Sequence, residues 1–307
     1  MDSAWLVDFL TLAETGSFSR AAEQRNLTQP AFSRRIRALE DWAGVPLFDR
    51  SIIPVALTQS GRQFLPEASR LVDGMALARR VARDAARTGP AVLRLATTDT
   101  LAQGFAPALL SQVEYEVPGA AVSVSVGAPR DNEAMLLRGE CQLVLAHHHE
   151  AAPGLPDGDA VAQSTIAHDA FVPVGCPAIV DAIGEHGEVP LLAYEEDSTG
   201  GRLFRSVMGR RLHNIRMSPV FLSHSATLLH AMALRGRGLA WLPLSLVRDD
   251  LLAGRVKAVE TPSWRERLDV VLLRVRGSDH DALDAFCRQA AAIGGRLLAM
   301  PAGHRSA

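Results

Sequence analysis

Apolar residues recur at helical spacing in three consecutive segments at the start of the chain. The segment 3–14 predicts a first helix, with its apolar stripe running from Trp5 to Leu12–Ala13. Ser17 is a predicted N-cap for a second helix through Arg25, and Thr28 for a third that ends near Ala43. The inward-facing positions expected on the third helix are Ala31, Phe32, Ile36 and Leu39.

Two short β patterns and one long helix follow. "VPLFDR" and "PVALT" predict a hairpin wing, and Thr58 is expected to cap a helix that reaches about Arg87. Pro66 is expected to kink or loosen the first turns of that helix. Apolar and small residues recur along it at alternating steps of four and three, as in a heptad seam: Phe64, Ala68, Leu71, Met75, Ala78, Ala82 and Ala85. The seam predicts pairing with a second copy, and packing on the chain's own body is the alternative.

After the breaker "TGP" (88–90), strand and helix patterns alternate. The predicted strands are "VLRLATT", "AAVSVSV", "CQLVLA", "AFVPVG", "PLLAY", "MSPVFLS", "GLAWLP" and "RLDVVLLRVR". The predicted helices are Ala102–Glu116, Arg130–Arg138, Thr199–Leu212, Ser225–Arg235 and Asp279–Leu298. This alternation predicts an α/β fold with a largely parallel sheet, arranged as two lobes with a cleft between them.

The patterns divide the chain into three parts. Residues 1–58 form a winged helix-turn-helix, residues 59–89 a linker helix for dimerisation, and residues 90–307 a two-lobed domain. Lobe I is expected at about 90–163 and 269–307, and lobe II at about 164–268. A chain of 307 residues has room for that many units.

Charge and cysteine content narrow the function only slightly. Residues 1–88 hold 12 arginines and 10 acidic residues, against 20 basic and 24 acidic residues in the remainder, which favours an anion-binding N-terminal part. The three cysteines (Cys141, Cys176, Cys287) have no metal-ligand spacing, so we expect free thiols, no metal and no cofactor. The start of the chain has no basic leader and no apolar run reaches membrane-spanning length, which predicts a cytoplasmic protein without a membrane partner.

The segment "FSRAAEQRNLTQPAFSRRIRALE" carries the candidate DNA contacts. Gln29, Pro30 and Ser33 lie at the tip of the predicted third helix, where they can reach base edges in the major groove. The candidates for phosphate or register contacts are Ser17, Thr28, Arg34, Arg37 and Arg50. The alternative is a surface helix rich in arginine that binds no ligand.

These motifs resemble a known family. "FLTLAETGSFSRAAEQRNLTQPAFSRRIRALEDWAGVPLFDR" with "LTQSG" is similar to the N-terminal signature of LysR-type transcriptional regulators, and the arrangement agrees over nearly the whole chain, including "ALRGRGLAWLP". The resemblance implies a periplasmic-binding-protein-like effector domain, a homodimer through the linker helix, often a dimer of dimers, and a small-molecule effector. It also implies double-stranded promoter DNA and RNA polymerase as partners. By match to the motif, Gln29, Pro30, Ser33 and Arg34 would contact DNA.

One departure from the family pattern matters. The wing "RSIIPVAL" lacks the additional basic residue of many relatives, which puts minor-groove reading by the wing in doubt. Within the family, "WLVDFLTL", "QPAFSRRIRALE" and "GRGLAWLP" resemble the hypochlorite-responsive regulators. For that subgroup, methionine oxidation would be the sensing chemistry. The positions expected to hold sensor methionines carry Val113, Gly200 and Ser225. The effector-region methionines (Met135, Met208, Met217, Met232, Met300) are therefore expected to fill the core.

Effector-binding candidates lie where predicted strands end and helices begin. They are Thr98, Asp99 and Thr100; His147 and His148; Thr199 and Arg202; and His224 and Ser225. Hydroxyls at helix starts suit an anion, whereas Asp99 would repel one unless it pairs with Arg202 or a histidine, so an effector with an amino group remains open. "HHHE" (147–150) is expected to be a solvated loop end, with a metal or pH-sensing site as the alternative.

The competing hypothesis is an enzyme or ligand-transport protein on the two-lobed fold. The sequence has no Gly-rich phosphate loop and no G-x-S-x-G motif. Asp99 and His147 are candidates for a catalytic acid–base pair, but the sequence offers no nucleophile to act with them. We therefore expect a regulator and not an enzyme.

Overall fold

The computed structural model separates into two compact units. One comprises Met1–Thr88 with Leu137–Gly139, and the other Gly89–Leu136 with Glu140–Ala307. The structure describes residues 2–85, 92–116, 121–152, 160–183, 188–209, 211, 216–277 and 281–298. The predicted helix boundaries at Arg87, Leu212 and Asp279 lie outside these residues, as does Met300.

The first unit is a winged helix-turn-helix with a long helix attached. Its elements are α1 (Ser3–Thr15), α2 (Phe18–Gln24), α3 (Gln29–Ala43), β1 (Phe48–Asp49), β2 (Ala56–Leu57) and α4 (Gln59–Ala85). Phe32, Ile36 and Leu39 are fully buried, as the apolar stripe predicted. The two wing strands pair antiparallel.

Three of the predicted caps have different outcomes. The Ser17 side chain accepts a hydrogen bond from the backbone N–H of Arg20, and Thr58 Oγ1 accepts one from Gly61 at 3.0 Å, so both caps are confirmed. Thr28 occupies the N-cap position of α3, but its side chain makes no capping hydrogen bond. The predicted capping bond of Thr28 is wrong, and its hydroxyl is left exposed at the helix tip.

The heptad seam of helix α4 is divided between the core of the first unit and the exposed surface. Ala68 is buried and Phe64 packs against the core of the first unit, which was the alternative reading. Further along, Leu71 and Met75 are exposed, as are Ala78 and Ala82; the side chain of Ala85 lies outside the described set. The helix runs through Pro66 without ending there. The N-terminal part of the seam therefore packs on the first unit, and the part from Leu71 to Ala82 forms an exposed apolar row.

The second unit contains a seven-stranded sheet and a two-stranded sheet. Its strands are β3 (Val92–Thr97), β4 (Ala121–Val126), β5 (Leu143–His148), β6 (Val161–Gly175), β7 (Glu188–Tyr194), β8 (Arg216–Ser223), β9 (Ala240–Pro243), β10 (Lys257–Ala258) and β11 (Glu266–Val275). Its helices are α5 (Asp99–Gly104), α6 (Ala106–Glu116), α7 (Pro129–Leu137), α8 (Pro177–Asp181), α9 (Thr199–Met208), α10 (Ala226–Leu234), α11 (Leu244–Leu252) and α12 (Asp281–Leu298). The larger sheet has the order β10-β6-β11-β5-β3-β4, with β9 on β6, and the smaller sheet pairs β7 with β8.

The prediction of a largely parallel sheet is wrong for the larger sheet. Strand β3 pairs parallel with β4 and β5, but β11 pairs antiparallel with β6 along the whole length of β11, and it is also antiparallel to β5. The two long strands contribute side chains to different cores at their two ends. Ala167 and Val270 belong to one hydrophobic cluster, whereas Phe171 and Leu268 belong to another. These strands therefore connect the two lobes.

Smaller differences concern individual elements. The helix predicted over Ala102–Glu116 is two helices, because the chain leaves helical geometry at the buried Phe105. Strand β5 continues through His147 and His148, and α11 was not predicted. Among the described residues, no helix is both long and apolar enough to cross a membrane.

Adjacent glycines in α12 provide a matched test of its packing against β6. A Cβ at Gly294 would lie 2.3 Å from the backbone oxygen of Ile166, whereas a Cβ at Gly295 meets nothing within 4 Å. We expect Gly294→Ala to lower the free energy of unfolding by about 1–3 kcal/mol through overpacking. Gly295→Ala should raise it by up to about 1 kcal/mol, because alanine favours a helix. Urea unfolding of both variants measures this; equal effects would contradict the described packing.

Candidate DNA-binding surface and interlobe cleft

A buried carboxylate joins the three helices of the helix-turn-helix. Asp8 on α1 has no exposed surface, and its two oxygens meet Arg25 Nε at 2.7 Å and Arg35 Nη1 at 3.3 Å. Arg25 follows α2 and Arg35 lies on α3, so one carboxylate fixes both helices against the first. Two of the five arginines in the segment 18–40 therefore have a structural role.

The leading end of α3 is open to solvent. Thr28, Gln29 and Pro30 are exposed, and Ser33, one turn further on, is half-buried. Arg34 and Arg37 are exposed and form no ion pair within the described part of the chain. Helix α3 therefore presents polar side chains at its tip and two available cations behind it.

Ser17 and Arg50 are partly committed to the fold. Ser17 is half-buried and uses its hydroxyl as the cap of α2. Arg50 Nη2 lies 2.5 Å from Glu40 Oε2, and its guanidinium stacks over the ring of Phe18 with 5.3 Å to the centroid. Glu40 also accepts hydrogen bonds from the backbone N–H groups of Leu47 and Phe48, which holds the base of the wing. The charge of Arg50 is thus already paired.

In the second unit, a chain of hydrogen bonds joins the starts of α5 and α10. Thr227 Oγ1 donates to Asp99 Oδ2 at 2.6 Å and lies 2.7 Å from Ser225 Oγ. Ser225 caps α10 by accepting from the N–H of Leu228, and Gln103 donates to the other oxygen of Asp99 at 2.9 Å. Neutral donors satisfy the Asp99 carboxylate, and neither Arg202 nor a histidine pairs with it among the described residues.

The other cleft candidates differ in availability. Thr98 is at the N-cap position of α5 without a side-chain bond, Thr100 is half-buried, and His224 is exposed. Among the described residues the hydroxyl of Thr100 and the ring of His224 make no hydrogen bond. Arg202 donates to the backbone oxygen of Asp197 at 2.6 Å and to the Thr199 hydroxyl at 3.2 Å. Thr199 and Arg202 thus bind each other at the start of α9.

His147 belongs to a buried polar cluster. Its Nε2 lies 2.9 Å from Asp169 Oδ2, which also accepts from Ser245 Oγ at 2.6 Å. Burial alone would raise the pKa of Asp169, but the hydrogen bonds and charge of His147, with those from Ser245 and Ala170, hold this pKa below its usual value. His147 is therefore committed to tying β5, β6 and α11 together.

The loop end predicted for "HHHE" (147–150) begins only at His149, because the first two histidines lie in a strand. His147 and His148 end strand β5, where His148 lies opposite Asp269 of β11. His149 accepts a hydrogen bond from Ala151 N–H and lies 3.3 Å from Glu266. Across the described residues, no cluster of three or more potential metal ligands is present.

Sequence reasoning missed three contributors to the cleft and its support: Tyr194, Thr227 and Ser245. The ring of Tyr194 covers the start of α9, since a Cβ at Gly200 would lie 2.5 Å from it, and burial raises the pKa of this phenol. The paired glycines Gly200 and Gly201 were the available signal for such close approach.

Three of the effector-region methionines pack as the sequence predicted, whereas Met135 is half-buried and belongs to none of the hydrophobic clusters of the second unit. Met208 has no exposed surface, and Met217 and Met232 pack against hydrophobic clusters of the second lobe. Val113 is buried, and Gly200 has no room for a larger side chain. These positions give oxidant sensing by methionine no support.

Comparison with known proteins agrees with this architecture. Residues 4–62 match the family described as bacterial regulatory helix-turn-helix protein, lysR family, and residues 87–293 match the LysR substrate binding domain. The chain belongs to the LysR family. It is a transcriptional regulator that binds DNA through its helix-turn-helix.

Individual relatives match over most of their length. The transcriptional regulator YjiE of Escherichia coli K12 is 31% identical over 265 residues, which cover 83% of each chain. The crystal structure of the LysR family regulator VV2_1132 is 29% identical with a TM-score of 0.61, covering 94% of this chain and 98% of the other. DarR of Vibrio fischeri, solved in complex with DNA, is 30% identical with a TM-score of 0.55 and covers 95% and 98%.

The hypochlorite-specific regulator HypT of Salmonella typhimurium is also similar. It is 26% identical with a TM-score of 0.54, and the match covers 95% of this chain and 98% of that chain. The likeness agrees with the subgroup that the sequence resembles, but it does not favour oxidant sensing over control by a small molecule.

Proposed function

We propose that this LysR-family regulator reads a specific DNA sequence with the tip of α3 and is controlled by a small molecule bound between its two lobes. The observation that carries the proposal is the exposed row Thr28–Gln29–Pro30 on a helix anchored through the buried Asp8. The proposed division keeps residues 1–58 for DNA binding, 59–89 for the linker and 90–307 for the effector.

The surface chemistry assigns different tasks to the side chains of α3. Gln29 can form a bidentate pair with adenine, Pro30 can contact a thymine methyl group, and Ser33 can donate or accept. Arg34 and Arg37, both exposed and unpaired among the described residues, suit phosphates. Because Arg50 is paired with Glu40, most of the phosphate contact at this surface rests on those two arginines.

Dimerisation through α4 is part of the proposal. The exposed apolar row Leu71, Met75, Ala78 and Ala82 continues the heptad seam beyond the residues that pack on the first unit. A matching row on a second copy would cover it in a coiled coil. A dimer would place two α3 tips on two half-sites, and a dimer of dimers would extend the contacted DNA.

Arg34 and Arg35 are a matched pair, because they are neighbours and, among the described residues, only Arg35 forms an ion pair. We expect Arg34→Ala to weaken DNA binding about tenfold or more and to reduce the slope of log affinity against log salt by about 1 for each subunit. Arg35→Ala should lower the free energy of unfolding by about 1–2 kcal/mol, because it removes a partner of Asp8, with a smaller change in the salt slope. Fluorescence anisotropy over a salt series and urea unfolding measure both.

A DNA fragment selected by the wild-type protein from a random-sequence pool supplies the probe for these titrations. Ser33→Ala should discriminate less than wild type between the selected fragment and unselected fragments, because a side chain that can contact base edges is lost. Wild type and Arg34→Ala binding every fragment equally weakly would contradict the proposed function.

The effector would lie where the starts of α5 and α10 approach each other. The Asp99–Thr227–Ser225 chain already bridges these helices, while Thr100 and His224 retain free polar groups among the described residues. A small molecule that competes for these groups would change how the lobes are held. Substituting Ser225 is a poor probe, because its hydroxyl caps α10.

Thr100→Ala provides the sharper test of the effector site. We expect that a compound which raises the Tm of the wild-type protein in a thermal-shift screen gives little or no increase in Thr100→Ala. Ser111→Ala removes a hydroxyl from the exposed face of α6 and serves as the control. Equal stabilisation of all three proteins would remove Thr100 from the site.

We propose no enzymatic activity. His147, Asp169 and Ser245 are close together, but Ser245 donates its proton to Asp169 and not to the histidine. A serine nucleophile needs an adjacent base that can accept its proton. The cluster therefore lacks the relay of a hydrolase and supports the lobe connection instead.

A further inference from the structure

The strands that end at the interlobe cleft are followed mostly by acidic residues. Strands β3, β4 and β5 are parallel in lobe I, and β7 and β8 are parallel in lobe II, so each set ends at one edge of its sheet. The two edges meet where Thr227, in the helix after β8, donates to Asp99, in the helix after β3. The residues that follow these five strands therefore set the charge that a ligand between the lobes would encounter.

Acids outnumber bases at these strand ends. In the loops after the five strands and in the first turns of the helices that follow, the described residues include six acids and two arginines. The acids are Asp99, Asp131, Glu150, Glu195, Glu196 and Asp197. The whole chain has a formal net charge of only -2, so the excess of acids is local. A cleft lined by one sign of charge attracts ligands of the opposite sign.

Most of these carboxylates have no cation beside them. Among the described residues, Glu196 is the one acid of the six that forms an ion pair, with Arg205 at 3.7 Å. The other five are exposed and form no ion pair within the described part of the chain. Their negative charge is therefore available to a ligand.

The two arginines at these strand ends do not neutralise the acids. Arg202 donates to the backbone oxygen of Asp197 and to the hydroxyl of Thr199. Arg130 acts on the half-buried Glu133, where its charge opposes the rise in pKa that burial causes. Neither arginine forms an ion pair with one of the six acids among the described residues.

Asp99 is the acid best placed to bind a ligand between the lobes. Its Oδ2 accepts from Thr227 and its Oδ1 from Gln103, one donor for each oxygen. An ionised carboxylate offers about four lone-pair sites, so roughly half of this capacity remains. Both donors are neutral and leave the negative charge in place. A ligand that displaced water from this carboxylate would have to supply a positive charge in return.

The helix starts of lobe II offer less to an anion than the sequence suggested. Unused N–H groups in the first turn of a helix attract anions. Ser198 Oγ accepts from Gly201 N–H at 2.9 Å, and Ser225 Oγ accepts from Leu228 N–H at 3.2 Å. Each serine thereby uses one of these donors, which weakens the case for a carboxylate effector.

We propose that the effector is a small organic cation whose ammonium or guanidinium group binds Asp99 between the lobes. The inference rests on the proposed control of this regulator by a small molecule in the cleft. Such a group can donate to the remaining lone pairs of Asp99 while Thr227 keeps its hydrogen bond. Thr100, next in the chain, retains a hydroxyl for the polar but uncharged part of the molecule.

The test is a thermal-shift screen of the full-length protein with two matched panels. One panel contains primary amines and guanidines, and the other contains carboxylates of the same carbon skeletons, with putrescine and succinate as the reference pair. We expect at least one amine or guanidine to raise the Tm in a concentration-dependent way, and the matching carboxylate to leave the Tm unchanged. Failure of every cation in the panel would overturn the inference.

Asp99→Asn locates the binding of a cation found in this way. Asparagine keeps the size of the side chain and an acceptor for Thr227, but it removes the charge. Calorimetric titration should show affinity for the cation reduced about tenfold or more. The Tm without ligand should change little, because Asp99 is exposed. Unchanged affinity would remove Asp99 from the site and overturn the inference.

Glu260→Gln is the matched control. Glu260 is also an exposed acid of this unit, but it follows β10 and none of the five strands that end at the cleft. It should bind the cation within about twofold of wild type. Equal weakening by Glu260→Gln and Asp99→Asn would overturn the inference, because the cation would then respond to overall charge. Magnesium chloride replacing the organic cation, with the same loss in Asp99→Asn, would assign the site to a metal ion instead.

The carboxylate panel separates this inference from the proposed function. If carboxylates raise the Tm of wild type but not of Thr100→Ala, and cations have no effect, the cleft is an effector site and only the inferred charge is wrong. If no compound of either panel raises the Tm, control by a small molecule fails together with the inference. DNA reading by α3 is tested independently of both outcomes by Arg34→Ala.

Discussion

The DNA-binding unit depends on one buried charge. Asp8 lies in an apolar core between α1, α2 and α3, where an unpaired carboxylate would be strongly destabilising. Arg25 and Arg35 satisfy it from two different helices, so a departure of either helix from its place removes a partner. The apolar stripe of α3 keeps the helix in the core, and the Asp8 pairs determine how it is oriented there. The orientation of α3 in turn determines where its exposed tip from Thr28 to Pro30 lies on the surface of the unit.

Local patterns in the first 85 residues were sufficient to predict most of this unit. The periodic burial of Phe32, Ile36 and Leu39, the cap at Ser17 and the strands of the wing all follow from short-range chemistry. The roles of the arginines did not follow, because Arg34 and Arg35 are equivalent in sequence and only tertiary contact shows that one pairs with Asp8. An aspartate on an amphipathic helix reads as a surface residue, so Asp8 itself gave no signal. The heptad seam of α4 was also ambiguous, because only tertiary contact shows which residues are buried. Its first residues pack on the core of the first unit, and its later residues are exposed.

The effector unit was harder to predict because its arrangement depends on contacts between distant residues. Its strands were found, but the antiparallel pairing of β6 with β11 joins residues about a hundred positions apart, and no local pattern shows it. The cleft candidates were predicted at strand ends and helix starts. Two of them, Asp99 and Ser225, belong to one hydrogen-bonded chain. Their link through Thr227, and the commitment of His147 to Asp169 and Ser245, required the packed structure. The chemistry of the effector is therefore less constrained by sequence than the chemistry of DNA reading.

The most direct test of the central claim is the unfolding free energy of Arg25→Ala, Arg35→Ala and the double variant, measured by urea titration of the full-length protein. Each single change leaves Asp8 with one partner and should cost about 1–2 kcal/mol. The double variant leaves a buried carboxylate without a partner, so its cost should reach about 3–5 kcal/mol and exceed the sum of the single changes. Replacing Asp8 with leucine in the double variant should recover part of the loss. A double variant that loses about 1 kcal/mol or less would show that Asp8 does not hold the three helices together.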